Sequence, residues 1–407
     1  NIPGGCATSF KRGRFEFEPS LHELCSVGTA EHPDSVYKVF DSLGAKINWC
    51  YENDIFRVIN KQKGNEYDVK LKAGIHEFCK SLDEQVPGCY KNVKAFLDLK
   101  PKVDAAIAYI YATKGNGLVM LLKHADFMRV AGHSVEEVMT SLGIPQKAQD
   151  LINTYWGYLG VPTDELNAMH FLNMVYGYVT DGAAMPAHRS HELSLALVDI
   201  IKKHGGEVWY NSEVTKFLYN EEGRVIGVVA NGEELYAKEV ISNVIAHNVF
   251  NMSDFDKLPE RNVKLANARE FGISVATIYL GLDCTAEELG MKDYTIFIQG
   301  DSNPRKQNDN RAGDGLYIVN CLNNVVPESS PKGTCTLFFT MPVYGHDIPK
   351  DLTPQGYKKY KNELAKKYIE DAEKQLGISI MPHIEEISVA TPVTFARYLG
   401  TPEGTIY

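Results

Sequence analysis

The chain has 407 residues, 44% hydrophobic and 23% charged, with a formal net charge of −10. These proportions exclude disorder, collagen and coiled coil as overall descriptions, and the length allows two or three domains with real cores. The acidic balance argues against a nucleic-acid partner, and no apolar stretch reaches the roughly 18 residues of a spanning helix.

In chain order, residues 1–45 open with the Gly-rich Pro3-Gly4-Gly5 loop and lead into a helix. Val36, Val39, Phe40 and Leu43 share a helical spacing and Gly44 stops it. Residues 46–72 alternate between turns and read as two or three short strands. Residues 74–180 read as several amphipathic helices with short breaks, through Ala105 to Met128 and Ser134 to Leu142. This block is dense in Tyr, Met and Phe and is expected to wall an apolar ligand cavity. A helix with Ser190 as N-cap and an apolar face of Leu193, Leu197, Ile200 and Ile201 ends at Gly205-Gly206. Glu207–Asn211 and Val240–Asn243 read as strands. Val214–Asn220, Arg224–Ala230 and Glu234–Ala237 read as a meander whose Asn231-Gly232 is a hairpin turn. Ile273–Gly281, Tyr294–Gln299, Leu316–Leu322 and Thr334–Pro342 predict a second sheet, with a flexible loop over Asp301–Asp314. Residues 354–376 predict a polar helix, and Ile387 to Tyr407 a strand followed by a loop.

Eight cysteines, no two closer than ten positions, form no CxxC pair. They read as free thiols of a reducing, cytoplasmic compartment. His188 and His191 stand three apart rather than in an HExxH pattern, so no metal is expected there. No GxGxxG, no Walker lysine and no GxSxG elbow is present; Gly115-Asn116-Gly117 has no strand before it.

Three separated stretches together resemble the phytoene desaturase and retinol saturase branch of amine-oxidase-like flavoproteins. The first is Pro3-Gly4-Gly5 with Ser9-Phe10, Gly13, Phe15, Phe17 and His22. The second is Gly205-Gly206-Glu207-Val208, Asn211, Val214, Gly223-Arg224-Val225, Gly227-Val228 and Val240-Ile241-Ser242-Asn243. The third is Ala390-Thr391-Pro392, Thr394, Arg397-Tyr398, Pro402, Gly404 and Tyr407. The resemblance implies an α/β, glutathione-reductase-like FAD-binding fold with an antiparallel-sheet substrate domain and a helical insertion. Residues 1–45, 186–243 and 388–407 would make the FAD-binding domain, 46–72 and 272–387 the substrate domain, and 74–180 a helical cap.

It also implies FAD contacts at Gly4, Gly5, Val214, Ser242 and Asn243. The family's phosphate-binding GxGxxG unit would lie upstream of Asn1 and a closing segment downstream of Tyr407, so the chain is expected to be part of a longer protein and to hold FAD weakly by itself. Many members have Gly-Gly-Ser where this chain has His188-Arg189-Ser190. His188 and Arg189 are therefore expected to face substrate, and His22 and Arg189 are the candidate acid or polarising groups. The implied activity is FAD-dependent saturation or desaturation of a carbon–carbon bond in an apolar, isoprenoid- or lipid-like substrate. The alternatives are a flavin-dependent isomerase and a non-catalytic lipid-binding protein. Peripheral membrane contact is compatible with such a substrate.

Overall fold

The computed structural model describes residues 2–19, 21–52, 54–309 and 315–407. Its fourteen described strands are β1 (Phe10–Arg12), β2 (Phe15–Phe17), β3 (Trp49–Tyr51), β4 (Asp54–Asn60), β5 (Tyr67–Lys72), β6 (Ala184–Pro186), β7 (Val214–Tyr219), β8 (Val225–Ala230), β9 (Glu233–Tyr236), β10 (Ser274–Leu282), β11 (Thr295–Gln299), β12 (Leu316–Cys321), β13 (Cys335–Val343) and β14 (Ile384–Ala390).

Seven strands form the main sheet, in the order β14-β10-β13-β12-β11-β4-β5. All its pairings are antiparallel except β4 with β11. Every residue of β10, β11 and β12 is buried. Such continuously apolar strands need cover on both faces. On one face Phe56, Val58, Phe297 and Ile318 pack against the helices between Ile75 and Asp181. On the other, Ile278, Leu280, Ile298 and Phe339 meet Ala365, Tyr368, Ile369 and Ala372 of the Pro354–Leu376 helix. That helix starts where Thr353 caps the Gly356 N–H and Pro354 supplies a preset φ, and it stops at the left-handed Gly377.

The β1–β2 hairpin is pinned to the sheet by Phe15. Gly281 of β10 has no side chain where the Phe15 ring sits; a Cβ there would come within 2.4 Å of the ring. Phe17, Tyr279, Phe338 and Ala390 complete this cluster. The segment continues through Leu24, which pairs with Ala184 in both directions at 3.0 and 2.9 Å. β3 and β6 pair beside it, and β7–β9 form the separate meander.

Several expectations are corrected. Glu207–Asn211 and Val240–Asn243 are not strands: no ladder partner stands beside them among the described residues, and Ile241 is 95% exposed. Ala105 to Met128, by contrast, divides as expected into several helices with short breaks. Lys114 takes a left-handed φ of 61° and Asn116 caps a new start, giving helices Leu99–Thr113, Gly117–Lys123 and Ala125–Ala131. Ser190 is not an N-cap; that helix runs Arg189–Lys203 after His188. Residues 388–390, assigned to the cofactor domain, are part of β14 in the main sheet. In the expected loop 301–314, Pro304–Asp309 is helical, and 310–314 lie outside the described residues. Among the described residues, no helix is long and apolar enough to cross a membrane.

Candidate active site

Gly4 and Gly5 lie at φ 107° and 59°, a region open to glycine and strained for other residues. A Cβ on Gly4 would meet the Ala7 oxygen at 2.1 Å and Ser194 Oγ at 2.4 Å, whereas one on Gly5 would meet nothing within 4 Å. The loop is thus packed on one side and open on the other. Three bonds hold it to the Arg189–Lys203 helix. Ser194 Oγ donates to the Ala7 oxygen at 2.6 Å, Ser190 Oγ to the Thr8 oxygen at 3.1 Å, and Thr8 Oγ1 lies 3.0 Å from His191 Nδ1. The open side of Gly5 fits the close backbone approach that an anionic cofactor chain requires.

The positive end of that helix is already filled. The buried Glu18 carboxylate accepts the Ser190 N–H at 2.9 Å, Ser190 Oγ at 2.8 Å and the Leu21 N–H at 2.8 Å. Arg189 stands beside it with φ 63°. Its Nη2 donates to the Ser329 oxygen at 3.0 Å and the Glu16 oxygen at 3.4 Å. Its buried Nε has no protein partner. Burial lowers its pKa, opposed by Glu16 and Glu18. His188 is exposed, and its N–H donates to Glu192 Oε2 at 2.9 Å.

His22 is enclosed. Its ring stacks on Phe338 at 5.4 Å and tilts against Tyr158 at 5.9 Å, and Nε2 lies 2.9 Å from Thr340 Oγ1. Burial pushes its pKa down to about 4, so the ring is neutral at physiological pH. Of the two roles expected for it, acid or polarising group, a neutral imidazole suits the second.

The acid signal lies one residue on, where sequence reasoning did not look. Glu23 and Glu52 are both buried and near enough for the charge of one to act on the other. Glu23 accepts from Tyr158 Oη at 3.0 Å, Tyr155 Oη at 3.4 Å and Thr295 Oγ1 at 3.0 Å. Desolvation raises both carboxyls, and for Glu52 the neighbouring Glu23 charge adds to it. Two carboxylates this close in an apolar site share protons rather than both ionising.

Between the sheet and the 74–180 helices, where a cavity is expected, aromatic rings pack closely around Tyr155. Tyr155 stacks on Tyr178 at 4.8 Å and meets Phe56 and Phe297 edge-on at 4.7 and 5.8 Å. The larger of two described grooves, about 630 Å³, is lined by residues 285–287 and by Asn323, Asn324 and residues between 327 and 334. Gly4, Gly5 and Arg189 are brought together by the Arg189–Lys203 helix, whose start Glu18 caps, whereas His22 contacts Thr340, Phe338 and Tyr158 instead. Val214 heads the meander, and Ser242 and Asn243 lie exposed on the segment after it.

No family model matches the chain. It is 25% identical over 439 residues to an all-trans-retinol 13,14-reductase of Danio rerio, covering 99% of this chain and 71% of that protein. It is 28% identical over 225 residues to the neurosporene-forming phytoene desaturase of Rhodobacter capsulatus, covering 50% of this chain and 40% of that one. An oxidoreductase of Methanosarcina mazei superposes with a TM-score of 0.62 at 16% identity, over 95% of this chain and 80% of that chain. The relatives it matches are thus named as a retinol reductase and a phytoene desaturase. The chain's fold is the one that the Methanosarcina mazei oxidoreductase shares. The backbone at Arg189 has a positive φ, a conformation that favours glycine.

Proposed function

We propose that this chain is an FAD-dependent oxidoreductase that saturates or desaturates a carbon–carbon bond in an apolar, isoprenoid- or lipid-like substrate. The observation that carries the reading is similarity to a retinol 13,14-reductase along 99% of the chain. Bound FAD supplies the hydride acceptor or donor. The open backbone at Gly5 and the packed Gly4 would let the cofactor chain approach closely, with the Val214 backbone, Ser242 and Asn243 as further contacts. Saturation of a double bond also needs a proton. The Glu23–Glu52 pair keeps one in a site closed to water, next to the neutral His22. The unpartnered Nε of Arg189 is a donor for an oxygenated end of the substrate. His188, exposed at the same helix start, is a further substrate contact.

The test is turnover with FAD supplied, using all-trans-retinol and a carotene as substrates and product mass as readout. Gain or loss of two hydrogens supports the reading. Unchanged mass with altered retention on chromatography means isomerisation, and stoichiometric binding without turnover means a binding protein; either would overturn it. Arg189→Ala should weaken substrate binding more than flavin binding, and equal loss of both removes it as a substrate contact.

A further inference from the structure

A second constellation of reactive side chains lies away from the cofactor loop. β10 and β14 pair regularly from Thr277 with Ala390 to Gly281 with Glu386, and then the register slips: Leu282 pairs with Ile384, leaving Glu385 as the extra residue. A bulge of this kind turns the chain and re-aims side chains. Here it sets Asp283 opposite His383. The Asp283 N–H donates to the His383 oxygen at 3.0 Å, and His383 Nδ1 lies 2.9 Å from Asp283 Oδ1. The next residue, Cys284, turns inward and is buried. Thr285 then fixes the chain by a reciprocal cap with Glu288. One donor atom each from Asp283, Cys284 and His383 lies within 4.8 Å of the others.

We propose that Asp283, Cys284 and His383 form a zinc site that clamps the edge strand β14 to β10. The donor set decides the metal. A thiolate with an imidazole suits Zn²⁺ and its d-block neighbours, whereas Mg²⁺ and Ca²⁺ take oxygen ligands. Bond lengths of about 2.3 Å to sulfur and about 2.0–2.2 Å to nitrogen and oxygen put tetrahedral ligand atoms roughly 3.3–3.7 Å apart. Rotamer adjustments of about an ångström close the set, and the backbone bond between residues 283 and 383 already holds two of its three members. The ion takes the place of the proton shared by Asp283 and His383, and Cys284 releases its thiol proton on binding. Water fills the fourth position.

The clamp stands apart from the redox chemistry. Asp283 is six residues along β10 from Thr277, which pairs with the Thr340 that contacts His22. At about 3.3 Å per residue that is roughly 20 Å. The role is therefore structural: a sheet edge is where strands detach, and a metal bridging its last rung holds it closed.

The experiment uses the purified full chain, stripped with a chelator and titrated with Co²⁺ against a flavin-matched reference. Saturable binding of one equivalent, with a thiolate-to-cobalt charge-transfer band and intense visible bands of a tetrahedral ion, is expected. His383→Ala and Cys284→Ser should weaken binding at least tenfold, and Cys50→Ser should leave it unchanged. Zn²⁺ should raise the Tm of the parent and not of His383→Ala. Because His383 is partly exposed, that variant tests the site even if Cys284→Ser fails to fold. Absence of one-equivalent binding, a band that survives His383→Ala, or a band lost in Cys50→Ser would overturn the proposal.

Discussion

The main sheet and the segment from 205 to 272 are both rich in apolar residues and have opposite fates. In the sheet, the nine residues of β10 are all buried between two helical layers. Between 205 and 272 the meander buries little beyond Phe217, Gly227 and Ala230, and Trp209, Ile241, Val244 and Phe255 are exposed by half or more. Apolar content makes a strand possible; a partner ladder and a covering face make it form. The sheet has both, and among the described residues 207–211 and 240–243 have neither.

Substitutions sharpen this contrast, beginning with the largest effect. Phe297 is fully buried and packs edge-on to Phe56 and Tyr155. Phe297→Ala should cost about 3–5 kcal/mol in denaturant unfolding. Trp209→Ala, at the 58% exposed counterpart, should stay within about 0.5 kcal/mol. Equal costs would break the comparison.

Glu18→Ala should cost about 3 kcal/mol, because it orphans the buried Ser190 and Leu21 donors. It should also loosen the Gly4–Gly5 loop that Ser190 and Ser194 hold, readable as faster hydrogen exchange at residues 4–9.

Glu23→Gln should change how stability depends on pH. The folded carboxyl pKa is raised above its unfolded value, so as pH rises above about 4.3 the unfolded chain releases a proton that the native state keeps. The parent should therefore lose stability toward neutral pH, by up to about 1.4 kcal/mol per pH unit for one such proton. The Gln variant should have a shallower slope in unfolding measured from pH 5 to 8, with Glu52 supplying what remains. An unchanged slope would show that Glu23 is ionised in the folded protein.

The smallest effect tests the backbone at Arg189. Arg189→Gly and Arg189→Ala lose the same guanidinium contacts, but only alanine keeps the left-handed strain. The glycine variant should be the more stable by about 1 kcal/mol in thermal unfolding.

Much of this was legible in the sequence, for identifiable reasons. The Pro354–Leu376 helix matched its predicted bounds because Thr353-Pro354 and Gly377 are local start and stop signals. The sheet strands were found within a residue or so because β-branched and aromatic runs between turns admit few other readings. The Gly4–Gly5 loop stood out by its missing side chains. Glu23 and Glu52 did not, because an acidic residue in a short strand pattern reads as solvent-facing; only tertiary enclosure by Tyr155, Tyr158 and Thr295 reverses that. Cys284 and His383 are brought together by one register slip, which no local pattern announces.

The ring of Phe15 in the gap left by Gly281 also bears on motion. It works as a peg in a socket, reinforced where Tyr279 Oη donates to the Pro19 oxygen at 3.0 Å. A hinge needs an interface that can slide or open, and this one is keyed. The Gly4–Gly5 loop, the hairpin and β10 therefore move as one body.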